Sequence, residues 1–260
     1  MSTSSPSVNV AFRKQQGGTC WFHAIMNGLL MSYMPRKYLR EMIKQKGISN
    51  NSFTMNSCPR TIDGFWKYIA YRLKGAGNIN ARVRNVNVIK AVGARRKFAN
   101  PLGFIPRRGN TVSSYTKRVA KSRSSVTGGS ISDLYNIYTK LFANDFSYRK
   151  NSSTPKFFLR KGNDFEPYFK YNGEWYYISH AYIQVSGRGG FWGHAIAGYK
   201  TMRGTYKISD SNLEAPYDFN WRVSENDKIL IDWMNEVYGL PSIVGLKTIK
   251  KYAIYVRQDS

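Results

Sequence analysis

An apolar run from Cys20 to Met34 is the feature that most limits how this chain can fold. Apolar residues would occupy nearly every side of a helix formed by this run, and such a helix is stable only when other elements surround it. The sequence therefore predicts a buried helix over residues 20–34, with Pro35 at its boundary. The chain has 260 residues, of which 42% are hydrophobic, enough for one large domain built around this helix.

In the rest of the chain, most predicted helices come before most predicted strands. Helical spacing of apolar residues predicts helices at 36–46, 61–74 and 134–142, and at 225–238 with Ser224 as the N-cap. Short strand-like segments bounded by Gly or Asn predict strands at 156–160, 165–171, 175–185, 194–200, 205–209 and 252–257. A helical first half followed by a mainly antiparallel sheet predicts an α+β fold, with the Cys20 helix packed on the sheet.

Positive charge is concentrated in the first half of the chain. The net charge is +25, and residues 1–132 contain 23 Lys and Arg but only two acids, Glu41 and Asp63. A field this basic favours nucleic acid, an acidic protein or anionic lipid as a partner. We predict a largely irregular basic insertion at residues 75–130, with one strand at 82–92. The residues predicted to contact nucleic acid there are Arg95, Arg96, Lys97, Arg107, Arg108, Lys117, Arg118, Lys121 and Arg123.

Several protein classes are disfavoured by composition. Apolar stretches are too short for a membrane-spanning helix, and residues 1–10 lack the pattern of a signal peptide. The chain has only two cysteines, Cys20 and Cys58, so it has no disulfide framework. These features predict an intracellular protein, cytoplasmic or nuclear, with a flexible arm at residues 1–10.

Cys20 follows Gly17, Gly18 and Thr19, where a glycine-rich turn meets a helix start. The partial positive charge of a helix N-terminus favours the thiolate, and glycines allow backbone N–H groups to face a reacting carbonyl. Gln15 or Gln16 is placed to add a side-chain donor to the same oxyanion. A buried structural thiol is the commoner reason for such a cysteine, so a nucleophile requires a base elsewhere in the chain.

His194 is the candidate base. It follows Gly193 and begins a strand in which Ala195 and Ala197 leave one face thin enough for a helix to approach. Asp210 ends the next strand, and a hairpin between the two strands would bring it beside His194. Asn212 is the alternative orienting group, since an amide oxygen also accepts a hydrogen bond from an imidazole.

Two other histidines are less suited to this role. His180 lies in the middle of a predicted strand and is interpreted as a half-exposed structural histidine. His23 lies about one helical turn past Cys20, which leaves little room for a substrate between the two side chains. Cys58 precedes Pro59 in a predicted loop and is interpreted as a thiol without a catalytic setting.

Three segments resemble the papain-like cysteine peptidase superfamily, which includes the ubiquitin-specific proteases. They are residues 15–23, the Gly193-His194-Ala195 sequence and residues 210–212. The resemblance implies a helical lobe with the nucleophile at 11–74 and a helix-plus-sheet lobe with the base at 131–260. It also implies Cys20 as nucleophile, His194 as base, Asp210 as orienter and Gln15 as oxyanion donor, acting on a protein or peptide without metal or cofactor.

Two functions are consistent with these features. The first is a papain-like or deubiquitinase-like thiol hydrolase of peptide or isopeptide bonds, with a basic surface for nucleic acid or acidic partners. The second is a basic structural or packaging protein that retains a peptidase fold. Short basic chains of this design are similar to peptidase-like proteins of large DNA viruses, and that likeness implies capsid or virion components as partners.

Overall fold

The computed structural model describes residues 20–48, 62–73, 131–149, 153–162, 165–187, 193–201, 203–211, 213, 217–219, 226–238 and 245–258. Its helices are α1 (Cys20–Met31), α2 (Tyr33–Gln45), α3 (Ile62–Leu73), α4 (Ile131–Phe142) and α5 (Asp227–Tyr238). Its strands are β1 (Phe146–Ser147), β2 (Phe157–Gly162), β3 (Tyr168–Tyr171), β4 (Glu174–Gly187), β5 (Gly193–Lys200), β6 (Tyr206–Ser209), β7 (Tyr217–Asp218) and β8 (Leu246–Arg257).

The strands form one sheet in the order β1-β2-β8-β4-β5-β6-β7, and β3 pairs with β4 outside this path. Every pairing is antiparallel except that of β1 with β2. Helices α1 to α4 belong to a core cluster on one face of the sheet, and α5 belongs to a second cluster on the other face. The predicted α+β fold, with the cysteine helix packed on an antiparallel sheet, is confirmed.

The side chains of β4 point alternately to the two faces of the sheet, and this explains how one sheet contributes to two hydrophobic cores. Tyr182 belongs to the cluster shared with α1, whereas its neighbours Ala181 and Ile183 belong to the cluster shared with α5. Successive side chains of a strand point to opposite faces, so β4 contributes to both cores. No helix in the described part of the chain combines the length and hydropathy that a membrane crossing requires.

Helix α1 is the central helix, and all of its residues are buried. It approaches β4 and β5 closely because Gly28 and Ala197 are small. A Cβ atom placed on Gly28 would lie 2.8 Å from Cδ2 of His180 and 3.4 Å from Cβ of Ala197. The prediction that small residues on the His194 strand allow a helix to approach agrees with this packing. Gly28 on α1 is the second small residue that this close approach requires.

Gly28→Ala is expected to lower the free energy of unfolding. Overpacking of a dense core costs about 1–3 kcal/mol, which exceeds the gain of about 0.5–1 kcal/mol from alanine over glycine inside a helix. Urea denaturation of the single variants and of Gly28→Ala/His180→Ala measures the coupling between the two sites. A double variant that shows no recovery relative to the sum of the single effects would contradict the steric explanation.

The boundary between the first two helices differs from the prediction. α1 ends at Met31, and α2 begins at Tyr33 with Pro35 in its first turn. A proline is tolerated there because the first-turn N–H groups have no intrahelical partner. We also interpret the basic sequence of residues 36–46 as an exposed helix, and this is only partly correct, since Arg36 is buried and donates to the carbonyl oxygen of Met31 at 3.0 Å.

Two other boundaries also differ. The side chain of Asn226 accepts a hydrogen bond from the backbone N–H of Lys228 at 2.8 Å and caps α5, whereas the predicted cap, Ser224, lies outside the described residues. Strand β8 begins at Leu246 rather than Tyr252. Lysines obscured this extension in the sequence, yet Lys251 is buried and pairs with Asp227 at 2.7 Å.

The predicted divisions at residues 10, 74 and 130 remain predictions. Residues 1–19 and 74–130 lie outside the described part of the chain, and with them the strand predicted at 82–92.

Candidate active site

Cys20 is the first residue of α1, and its side chain is buried at 6% exposure. Helix α1 is apolar and packs against β5. This packing brings the N-terminal end of the helix to the end of the sheet where β5 begins. The thiol therefore lies at a junction between the helical layer and the sheet.

A hairpin brings His194 and Asp210 together. Strands β5 and β6 pair in a register that sets Ala197 opposite Ser209, and Gly204 in the connecting turn has a φ of +81°. His194 is the second residue of β5 and Asp210 follows β6, so both lie at the same end of the hairpin. His194 Nε2 lies 2.7 Å from Asp210 Oδ1, and both side chains are fully buried.

The environment of His194 favours the imidazolium. Burial lowers its pKa, but the charge and hydrogen bond of Asp210, together with Cys20, outweigh burial and raise the pKa to about 10. Nδ1 makes no hydrogen bond of ordinary geometry, although Cys20 lies near enough to act on the ring. Because Asp210 occupies Nε2, Nδ1 is the nitrogen available to the thiol. The thiol, the imidazole and the carboxylate thus lie together at this junction.

Tyr238 is a site residue that the sequence analysis missed. It ends α5, and its hydroxyl donates a hydrogen bond to Oδ2 of Asp210. The two oxygens of Asp210 are thus divided between His194 and Tyr238. Helical spacing predicted α5 correctly, but no local pattern indicated that its last residue meets the β6 end, 28 positions away in the sequence.

A buried polar network holds the strand that precedes Asp210. The Ser209 hydroxyl accepts a hydrogen bond from Asn27 Nδ2 of α1 at 2.9 Å. Asn27 Oδ1 in turn accepts one from Arg72 of α3 at 2.9 Å, and Arg72 also donates to the Tyr68 hydroxyl at 2.9 Å. This network joins α1, α3 and β6, so it fixes the thiol helix relative to the strand that leads into Asp210.

The remaining predicted site residues lie outside the described part of the chain. They are Gln15, Gln16, Asn212 and the nine basic residues from Arg95 to Arg123, and Cys58, interpreted as non-catalytic, also lies there. Their predicted roles remain predictions.

The interpretation of His180 as half-exposed is wrong. The residue is 2% exposed, because β4 lies between β8 and β5 and helices cover it. Its Nε2 is hydrogen-bonded to the Tyr138 hydroxyl, and its Nδ1 lies 3.1 Å from the Ser179 hydroxyl. Burial lowers its pKa to about 3, which describes a neutral structural histidine.

Two of the three buried histidines, His180 and His194, predict opposite pH effects on stability. An unfolded histidine titrates near pH 6.5. The pKa of His180 is lower in the folded protein, so its stabilising contribution is complete above about pH 6.5 and is lost as the pH falls towards 3. The pKa of His194 is higher in the folded protein, so its contribution is complete below about pH 6.5 and is lost as the pH rises towards 10.

Urea denaturation across pH measures both effects. Each group changes the free energy of unfolding by at most about 1.4 kcal/mol per pH unit within its window. His180→Gln is expected to flatten the acid side of the profile, and His194→Gln the alkaline side. Profiles that both variants leave unchanged would contradict the assigned environments.

Tyr238→Phe is expected to lower the free energy of unfolding by about 1.5 kcal/mol. That value is at the lower end for a hydrogen bond to a charged group, since Tyr238 is only partly buried. Tyr217→Phe, at an exposed tyrosine, is the matched control and is expected to be neutral. Equal denaturation midpoints for Tyr238→Phe and the unmodified protein would show that the hydroxyl does not stabilise Asp210.

Comparisons with known proteins give a structural likeness. No protein-family model matches the sequence, and no curated protein matches it. A SAGA DUB module of Ubp8, Sgf11, Sus1 and Sgf73 is similar with a TM-score of 0.47 and 10% identity, over 99% of this chain and 70% of that chain. The same module bound to ubiquitin aldehyde has a TM-score of 0.45 and 11% identity, over 100% and 72%.

An essential yeast splicing factor is similar at the same level. Its TM-score is 0.44 with 11% identity, over 95% of this chain and 70% of that chain. Scores of this size describe a distant likeness and assign no family.

Proposed function

We propose that the protein is a cysteine-dependent hydrolase of peptide or isopeptide bonds, with papain-like or deubiquitinase-like chemistry. The observation that carries the proposal is the convergence of a thiol, an imidazole and a carboxylate from three separate elements. His194 pairs with Asp210 at 2.7 Å, and Cys20 contributes to the raised pKa of the imidazole. A nucleophile, a base and an orienting group are the components that acyl transfer to cysteine requires.

The reaction would proceed through an acyl-enzyme. His194 accepts the Cys20 proton, and the thiolate forms a bond to the substrate carbonyl carbon. The imidazolium then donates its proton to the leaving amine as the C–N bond breaks. A water molecule, deprotonated by His194, attacks the thioester and restores the thiol. Asp210 orients the imidazole and stabilises its charge throughout.

The oxyanion of each tetrahedral intermediate also requires donors. The backbone N–H of Cys20 lies at the N-terminus of α1, where such groups lack intrahelical partners. We assign the second donor to the Gln15 side chain on the basis of the family resemblance. An amine in place of water would give acyl transfer by the same residues.

The degree of burial bears on the substrate. Because Cys20 is 6% exposed, a slender extended segment reaches the thiol more readily than a folded surface does. An unstructured peptide or the flexible end of a protein, attached through a peptide or isopeptide bond, fits this requirement.

Labelling with electrophilic peptide probes tests the proposal. The full chain is treated with a peptidyl acyloxymethyl ketone and with a ubiquitin-derived vinyl sulfone, and the modified cysteine is mapped by mass spectrometry. We expect modification at Cys20 and not at Cys58. Equal modification of both thiols, or of neither, would contradict a specifically activated Cys20. Release of amine from linear and isopeptide-linked substrates then separates the two bond classes.

A second candidate function rests on charge. Residues 64–132 carry 15 Lys and Arg and no acid, an excess that ordinary surface solubility does not require. The protein would then be a basic structural or packaging component, of a cell nucleus or a virion, that binds nucleic acid and retains a peptidase fold. Steep loss of nucleic-acid binding with salt, combined with an unreactive Cys20, would favour this function over hydrolysis.

A further inference from the structure

The helical layer leaves one end of the sheet uncovered by the described helices. Tyr33 and Met34, at the start of α2, line a cavity of about 380 Å³ together with Tyr177, Ile178 and Val256. The cavity lies beside the end of β4 where that strand pairs with β3. Beyond it, the same face of the β3–β4 hairpin carries large exposed side chains.

Three of these exposed side chains are aromatic and adjacent. Tyr168, Trp175 and Tyr177 are 50%, 43% and 42% exposed. The ring of Tyr168 lies 5.5 Å from that of Trp175 and 5.8 Å from that of Tyr177, measured between centroids. We call these three residues the aromatic shelf. Lys170 is paired with Trp175 across the hairpin, and its ammonium lies 5.8 Å from the indole centroid.

A basic stripe on α2 leads to the shelf. Lys37, Arg40 and Lys44 are exposed and follow Tyr33 at intervals of 4, 7 and 11 residues, which places all four on one side of the helix. The stripe from Lys37 to Lys44 is about 10 Å long at about 1.5 Å per residue, and the distance from Tyr33 to Lys44 is about 16 Å. Tyr33 connects it to the shelf, since this residue lines the cavity beside Tyr177.

Two acids in the described part of the chain near the shelf, Glu166 and Glu174, belong to the opposite face of the sheet. Glu174 shares the opposite face of β4 with the buried Tyr176. Glu166 lies near the Tyr255 hydroxyl, which donates to its backbone carbonyl on that same opposite face. Glu41 is the acid of α2 and is exposed one helical turn from Lys37 and from Lys44, so it lies at the edge of the stripe and reduces the local charge of its three cations from +3 to +2.

We propose that the aromatic shelf and the basic stripe form a binding site for single-stranded nucleic acid. Exposed aromatic faces stack on bases whatever their sequence, and a row of cations follows the phosphate backbone. The net charge of +25 favours an anionic polymer over a neutral or basic partner. A duplex keeps its bases stacked and paired internally, so it would contact the cations without engaging the rings.

This site is separate from the candidate active site. Trp175 and Val185 lie ten residues apart on β4, which is about 33 Å for a regular strand, and Val185 is the partner of His194. Nucleic-acid binding at the shelf therefore requires neither an active Cys20 nor the proposed hydrolase function. It also differs from the predicted contacts of residues 95–123, because it uses stacking rings.

Fluorescence anisotropy with the full chain tests the site. The probes are fluorescein-labelled 20-nucleotide oligouridylate, oligothymidylate of the same length and a 20-base-pair DNA duplex, each titrated from 50 to 300 mM NaCl. The shelf variant is Trp175→Leu/Tyr177→Leu, and the stripe variant is Lys37→Gln/Arg40→Gln. Matched controls are Tyr217→Leu, at an exposed aromatic on another strand, and Lys140→Gln/Lys161→Gln, at two exposed lysines elsewhere.

We expect the shelf variant to bind single strands about tenfold or more weakly at every salt concentration, because base stacking is lost. Its slope of log affinity against log salt and its duplex binding are expected to be unchanged. The stripe variant is expected to lower the single-strand slope by about 0.7 for each phosphate contact removed. Comparison of the two oligonucleotides shows whether ribose or deoxyribose strands bind better, and the control variants should match the unmodified protein.

Three results would overturn the proposal. The first is single-strand affinity that the shelf variant leaves unchanged. The second is an equal loss for duplex and single strand, which would indicate damage to the fold or a purely electrostatic surface. The third is competition by polyglutamate. If polyglutamate displaces the oligonucleotides, and if the shelf variant binds polyglutamate and single strands with equal losses of affinity, the surface would be assigned to an acidic protein segment. Thermal melting of each variant identifies any loss of folding.

Discussion

Replacement of Cys20 with alanine is expected to abolish covalent labelling and reduce turnover to background. The substitution removes the sulfur that would form the thioester, and Cys20 is the only cysteine in the described part of the chain. Alanine is smaller than cysteine and occupies the same buried helix start, so the fold is expected to persist. Amine release from peptide and isopeptide substrates, with intact-mass analysis of the labelled protein, measures the effect.

Cys58→Ala is the matched control, because it removes the only other thiol of the chain. It is expected to retain full labelling and turnover. Turnover that persists in the Cys20→Ala variant, at a rate matching that of Cys58→Ala, would exclude Cys20 as the nucleophile.

Replacement of His194 with alanine is expected to slow acylation of Cys20 by ~10²–10⁴-fold, the usual contribution of general acid–base catalysis. The variant loses the group that accepts the thiol proton and later protonates the leaving amine. It also leaves the Asp210 carboxylate in a fully buried site without its imidazole partner. Single-turnover acylation rates at saturating substrate isolate this step from substrate binding.

His180→Gln provides the matched control for His194→Ala. His180 is also buried, but it contacts Tyr138 and Ser179 rather than the thiol junction. Its loss is expected to affect stability without changing the acylation rate of the folded protein. Added imidazole is expected to restore part of the activity of His194→Ala, because removal of the ring leaves space beside Cys20. Equal acylation rates for the two histidine variants would reject His194 as the base.

Much of the architecture could be predicted from local patterns. The apolar run after Cys20 indicated a buried helix because a helix without a polar side must be surrounded, and α1 is buried throughout. The short strand-like segments at 194–200 and 205–209 indicated two strands, and a short connection between them indicated a hairpin. Hairpin geometry then sufficed to place Asp210 beside His194, because antiparallel strands joined by a short turn return to the same end.

Boundaries were predicted less well where tertiary contacts outweigh local preference. Pro35 suggested the end of a helix, but the first turn of α2 accommodates it. Lys251 weakened the strand signal of β8, although its pairing with Asp227 allows burial. In both cases the local rule is correct in isolation, and a neighbouring element changes its outcome.

The sequence by itself determined the α+β class, the helix that carries Cys20 and the strand pair that carries His194 and Asp210. Each of these follows from short-range periodicity and turn chemistry, which act within a few residues. Only the tertiary structure decided that Gly28 admits α1 to within contact of His180, that Asn27 and Arg72 hold the β6 strand, and that Tyr238 reaches Asp210. These contacts join residues far apart in the chain, and the packing of helices on a twisted sheet brings them together without a local signal in the sequence.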